Sequence, residues 1–497
     1  MKTDAHWKKV GLHTHQGILL PLSAVRTRNS CGIGEFLDLI PLIDWSASLG
    51  LDVLQILPIN DSGDDSSPYN AISSCALDPI YLSLKALPGR GPDQEMFAPL
   101  TQLSRIDHRS VRREKLNFLK RYYKQHPRNK ETQEFIAAHP WLLPYALFKV
   151  YKDEYNHRAW QEWPKEAAVP KQEEIDFYCF LQLLCFEQMR QVKKHAASKK
   201  VFLKGDIPIL ISPDSADVWR EPHLFNLNSV AGSPPDAFNQ KGQIWGFPLY
   251  HWEAHRATQF AWWKQRLKTA EEFFDLYRID HVVGFFRIWA VPLEKPTEGH
   301  FIPEDPALWL GQGREILEMM IEASPMLPLA EDLGTIPDCV RPLLKELGIC
   351  KTNLIRWQRD WKGDGSYLPF NQYEPFSLTT LSTHDSDPVP LWWKKFPEEA
   401  TLFATFKHWN YQPDLSSDQH LAILRDSHHT ASYFHINLLQ ETLLLFPELS
   451  WPNLEEERIN VPGTLLPTNW TYRFRPSVEE IVAHQGLSAA FKSILAT

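Results

Sequence analysis

Short apolar runs recur along the chain, and most of them close on a polar cluster. They are GILLPLSAV (17–25), LDVLQILPI (51–59), VFLKGDIPIL (201–210), FDLYRIDHV (274–282), MLPLAEDLG (326–334), TNLIRW (352–357) and FSLTTLSTHD (376–385). Stretches with helical spacing lie between most of them, such as EFLDLIPLIDWSASLG (35–50) and QFAWWKQRLKTAEEFF (259–274). Repeated helix-then-strand units predict a parallel sheet covered by helices. Seven such strands, with an eighth near RINVPG (458–463), fit a closed (β/α)8 TIM-type barrel better than an open sheet. The second and third runs lie too far apart for one crossover. Residues 86–200 are charged and helix-patterned and are read as a helical insertion. Residues 213–256, rich in Pro, Gly and Asn, are read as a loop-rich insertion roofing the barrel's C-terminal face. The whole of 1–497 is then one barrel domain with two insertions.

Composition narrows the partners. Lys and Arg number 52 against 61 Asp and Glu, a net charge of −9, and no long basic run occurs. That argues against nucleic acid and anionic membranes. The N-terminus MKTDAHWKKVGLHTHQ has no apolar signal core, and no run is long enough for a membrane span. The six cysteines are scattered with no CxxC, as in a reduced cytoplasmic protein. Proline reaches 38 of 497 residues, so long shaped loops are expected. Nineteen tryptophans supply flat faces that suit sugars or bases, although core packing explains most of them.

Three of the predicted strands finish on acids: Asp280, Glu331 and Asp385. Barrel active sites form where strands end and loops begin, so three acids from three strands can meet at one rim. Alternation puts Arg278 and Asp280 on the same strand face, where the guanidinium favours an ionised carboxylate. Glu331, ending an apolar run, is expected to be pushed toward its protonated form, as a general acid requires. One charged and one neutral carboxyl about 5–5.5 Å apart is the arrangement of retaining glycosidases. Taken singly, each acid also suits a cap or a structural ion pair. The residues alone therefore reach a barrel enzyme with acid chemistry.

The segments YRIDHVVGFFRIW, LAEDLGTIPDCV and LSTHDSDP resemble the nucleophile, acid/base and third-carboxylate motifs of 4-α-glucanotransferases, the amylomaltases or disproportionating enzymes of glycoside hydrolase family 77 in the α-amylase clan. CGIGEFLDL (31–39), QILPINDSGDDSSPYN (55–70), KGDIPILISPDSADVWREPHLF (204–225), AGSPPDAFNQKGQIWGFPLYHW (231–252) and ERINVPGT (457–464) follow the same family order over nearly the whole chain. The resemblance implies Asp280 as nucleophile, Glu331 as acid/base and Asp385 as transition-state stabiliser. It implies sugar contacts for Arg278, His281 and His384. Asp206 matches a further clan motif, Tyr69 is to stack on a glucose ring, and Trp245 and Phe238 are to shape the acceptor side. Ser386, Phe247 and Ala237 depart from the family pattern without touching the three acids.

The activity so implied is transfer of an α-1,4-glucan segment to the 4-hydroxyl of glucose or another glucan, with retention through a covalent glucosyl-aspartate. Maltooligosaccharides, glycogen or starch would be the glucans. No metal or organic cofactor is called for. A hydrolase on the same site is the near alternative. HTH (13–15) is a histidine spacing that metal-dependent barrel hydrolases use, although here it precedes the first strand. A non-catalytic glucan-binding barrel is the third reading.

Overall fold

The computed structural model describes residues 1–89, 91–92, 94–164, 170–235 and 242–496. Eight parallel strands form the centre: β1 (His15–Leu20), β2 (Val53–Ile56), β3 (Phe202–Ile207), β4 (Leu276–Ile279), β5 (Leu327–Ala330), β6 (Lys351–Leu354), β7 (Ser377–Thr380) and β8 (Phe434–Leu438). They are hydrogen-bonded in the order β6-β7-β8-β1-β2-β3-β4-β5. The ring closes between β5 and β6, where Leu329 bridges Cys350 and the Ala330 N–H donor lies 2.7 Å from its Cys350 carbonyl, which that N–H reaches as donor. This is a (β/α)8 barrel.

The strands are short and almost fully buried, because helices cover them outside and side chains fill them inside. Close packing of the two layers fixes β3. A Cβ on Gly205 would lie 2.4 Å from the Phe274 ring, so only glycine lets the chain approach there. Its neighbours Lys204 and Asp206 are both buried. Alternation gives those two one face, and the lower of them donates from Lys204 Nζ to Gln55 Oε1 on β2 at 2.9 Å. Burial brings the Lys204 ammonium down to about 7, with nearby Arg278 acting in the same direction.

Two expectations are corrected. The eighth strand is Phe434–Leu438, not 458–463. In FHINL the polar His435 and Asn437 are buried and interrupt the apolar run, and the strand passes directly into the short buried helix Leu439–Leu443. The 213–256 region is not all loop. It contributes strands Phe225–Ser233 and Gln243–Tyr250, which join Ile288–Pro292 and His300–Ile302 in a four-stranded antiparallel sheet. The region 86–200 contains the helices Gln94–Thr101, His108–Gln125, Asn129–Ala138, Leu142–Glu154 and Gln172–Ser198. No helix among the described residues is long and apolar enough to cross a membrane.

Candidate active site

Strand register assembles the acids. On β3 and β4, Asp206 pairs with Arg278. On β4 and β5, Ile279 pairs with Ala330, so Asp280 and Glu331 occupy the next step on adjacent strands. Neighbouring strands run about 4.8 Å apart, close to the separation that retaining chemistry needs.

One guanidinium holds this group together. Arg278 Nη1 donates to Asp280 Oδ1 at 2.7 Å and to Asp206 Oδ1 at 2.9 Å, while Nη2 lies 3.4 Å from Glu331 Oε2. Burial works against the Arg278 charge, but Asp206 and the other anionic neighbours outweigh it and hold the guanidinium well above the ordinary arginine value. Burial pushes the Asp206 carboxyl up, against the pull of Arg278. The Tyr69 hydroxyl donates to Asp206 Oδ2 at 2.7 Å. Asp280 keeps its second oxygen near the Ile209 N–H at 3.3 Å.

The surround of Glu331 differs from the apolar one expected at a strand end. Its Oε2 accepts the His281 N–H at 2.8 Å and its Oε1 accepts the Leu333 N–H at 2.8 Å. Chain ends of β-strands leave N–H groups without ladder partners, and this carboxyl caps two of them. His281 adopts φ 41°, in the left-handed region. For a non-glycine residue such a turn costs about 1–3 kcal/mol. The turn aims its N–H at Glu331. The His281 ring meets the Trp245 indole edge-on, with centroids 5.1 Å apart.

Asp385 comes from the loop after β7. Its side chain is 44% exposed, at the mouth of the cleft. His384 Nε2 lies 3.3 Å from Asp385 Oδ2, and Asn460 Nδ2 donates to Oδ1 at 2.7 Å. Burial alone would raise this carboxyl. His384 and Asn460 reverse that and bring it down to about 2. Burial likewise disfavours His384⁺, but Asp385 raises the imidazole above its ordinary value. Tyr69 stacks on the His384 ring at 4.9 Å and 25°, and Trp470 leans on both rings.

The structure therefore brings together Asp280, Glu331, Arg278, Asp206, His281, Asp385, His384, Tyr69 and Trp245. Phe238 lies outside the described residues. Asn460 and Trp470 are additions. Asn460 lies within ERINVPGT (457–464), but nothing in its residue type points to Asp385. Trp470 takes φ 62°, which its sequence does not announce. The HTH histidines lie elsewhere. His15 begins β1, at the end of the barrel opposite the strand ends that carry the acids. With His13 and Asp52 it forms a group whose spacing suits a metal ion, but both His15 ring nitrogens are engaged, by Asp52 at 2.7 Å and the Gly11 carbonyl at 3.1 Å. That group does not serve the carboxylate site.

Comparison with known proteins gives the same architecture. An amylomaltase from Streptococcus agalactiae, solved in complex with acarbose, superposes with a TM-score of 0.82 at 23% identity, over 97% of this chain and 98% of that one. An amylomaltase from Corynebacterium glutamicum gives 0.81 at 22% identity, over 99% of this chain and 76% of that one. These likenesses establish the fold. The 4-alpha-glucanotransferase of Chlamydia muridarum is 46% identical over 98% of this chain and 96% of its own length. That of a Synechocystis strain is 32% identical over 93% and 94%. The sequence profile of glycoside hydrolase family 77, described as 4-alpha-glucanotransferase, matches residues 20–479. The chain belongs to the 4-alpha-glucanotransferase family.

Proposed function

We propose that the site carries out 4-α-glucanotransfer by double displacement, with Asp280 as the nucleophile. Asp280 attacks the anomeric carbon of an α-1,4-linked glucan while Glu331 protonates the leaving oxygen. The reducing-end fragment departs and a β-glucosyl ester of Asp280 remains. Glu331 then takes the proton from the 4-hydroxyl of an incoming glucose or glucan, which attacks the same carbon and restores the α-configuration. Asp385 faces the charge that develops on the sugar ring. Arg278 holds the acids in register, and Tyr69, His281 and His384 line the ring that reacts.

The observation that carries this reading is the single Arg278 guanidinium touching Asp206, Asp280 and Glu331 at adjacent strand ends. It keeps the nucleophile oriented before substrate arrives. Trp245, against His281, is placed to favour a sugar acceptor over water. Phe238 is assigned the same role from the family motif. Maltooligosaccharides, and the outer chains of glycogen or starch, are the substrates this chemistry fits. Six unpaired cysteines, five of them buried, agree with a reducing, cytoplasmic setting.

Incubation with maltotriose tests the reading. Glucose together with maltopentaose and longer chains is the expected product set. Glucose and maltose alone, with rising reducing ends, would make the protein a hydrolase. No turnover would leave a glucan-binding barrel.

A further inference from the structure

Trp361 is 65% exposed, the most open tryptophan among the described large hydrophobic residues. An indole in water gains nothing from burial and ordinarily flops. This one is held. Its Nε1 donates to the Trp357 carbonyl at 3.0 Å, and the Arg359 guanidinium lies over the ring 4.7 Å from its centre. Arg359 is itself fixed. Its Nε donates to the Gly365 carbonyl at 2.6 Å, and its backbone pairs with buried Tyr367 across a small hairpin. The hairpin is tied by Asp360 N–H to the Ser366 carbonyl at 2.9 Å and Gly365 N–H to the Asp360 carbonyl at 3.0 Å. Tyr367 packs on Phe403 and Phe406, within a second small core. One indole face is thus backed by a cation and the remaining surface is open to solvent.

The hairpin stands on the catalytic rim. It follows β6, so it leaves the barrel at the same end as Asp280 and Glu331. At its root, Arg356 Nη2 donates to the Leu381 and Asp387 carbonyls at 3.2 and 2.6 Å, in the segment that carries Asp385. Beside Trp361, Lys362 Nζ lies 3.7 Å from Asp338, in the loop that follows Glu331. The hairpin that carries Trp361 is thus joined to the segment of Asp385 and to the loop after Glu331.

We propose that Trp361 is an outer carbohydrate platform, on which a glucose unit of a long α-1,4-glucan stacks as the chain leaves the catalytic cleft. The proposal rests on the glucanotransferase reading and extends it from the reacting ring to chain-length selection. A fixed aromatic face costs little ordering entropy on binding, and the axial C–H face of glucose matches it. The exposed Asp360, Lys362 and Asp364 around the ring offer hydroxyl partners on a flat surface rather than a closed pocket, as suits a chain that must slide.

The test compares Trp361→Ala and Trp361→Phe with the unmodified enzyme on maltotriose and on amylose. Trp361→Ala should raise KM for amylose about fivefold and leave maltotriose kinetics unchanged, with Trp361→Phe close to unmodified. Unchanged maltotriose turnover also shows that the variant is folded. A binding arm avoids turnover: glycogen in a native gel should retard Asp280→Asn protein more than the Asp280→Asn, Trp361→Ala double variant. Equal effects on short and long glucans, or equal retardation of both proteins, would overturn the platform. If the unmodified enzyme makes no longer chains from maltotriose, the transferase reading falls, while the gel still decides whether Trp361 holds glucan.

Discussion

Arg278 Nη1 lies 2.7 Å from Asp280 Oδ1, and the same nitrogen reaches Asp206 at 2.9 Å. A lysine at this position keeps a charge but has no planar fork, so it cannot address three carboxylates at once. Arg278→Lys should lower kcat/KM on the order of 100-fold, because misplacing a nucleophile by about 1 Å costs that much. Thermal unfolding should move only a few degrees, which separates lost positioning from lost fold.

Asn460 donates to Asp385 at 2.7 Å. Against burial, His384 first and this hydrogen bond second bring the Asp385 carboxyl down to about 2. The pair's contribution is fully present above the ordinary carboxylate value near 3.8 and is lost as the pH falls toward 2. Asn460→Ala should therefore move the acid limb of the kcat profile upward and lower kcat about tenfold, the worth of one charge-assisted hydrogen bond. Steady-state kinetics from pH 8 down to about pH 2.5, across the Asp385 titration, would read both.

The buried histidines between β1 and β8 set acid stability. His428 faces Gln16 Oε1 at 2.6 Å and the Asn437 amide nitrogen at 2.9 Å. The amide can only donate, so His428 Nε2 must accept and the ring is neutral. Burial brings His428 down to about 3 and His435 to about 4, from 6.5. Below pH 6.5 the unfolded chain binds protons that the folded chain refuses. Stability is full above that pH and falls as the pH drops toward the folded-state values. At pH 5 the loss is about 2 kcal/mol per histidine. Tm should fall between pH 7 and 5, and His428→Gln should flatten that slope.

Trp245 meets His281 edge-on at 5.1 Å. Trp245→Ala should open the acceptor side to water. Released reducing ends should rise several-fold relative to transfer products from maltotriose, while total donor cleavage changes less.

The cluster of acids at the strand ends was legible because its signals are local. Arg278 and Asp280 share a face by strand alternation, and each acid stands where an apolar run stops. The eighth strand was not legible, because Phe434–Leu438 carries buried His435 and Asn437, whose partners Ser427, His428 and Thr430 come from the end of the preceding helix and the turn after it. The run at 458–463 looked like a strand, yet it supplies Asn460 to Asp385 instead. The antiparallel sheet around Gln243–Tyr250 was hidden by Gly246 and Pro248 inside the strand. One of the two N–H donors to Glu331 belongs to His281, in a left-handed turn that no sequence pattern announces.

Trapping the covalent intermediate puts the role of Asp280 to the most direct trial. An α-maltosyl fluoride with its terminal 4-hydroxyl blocked cannot act as an acceptor, and fluoride leaves without an acid. Incubated with the Glu331→Gln variant, it should accumulate a maltosyl-enzyme, because the base for the second step is missing. Peptide mapping by mass spectrometry should find the added maltosyl mass on Asp280, within YRIDHVVGF. A label on Asp206 or Asp385, or no label while fluoride is still released, would contradict the assignment.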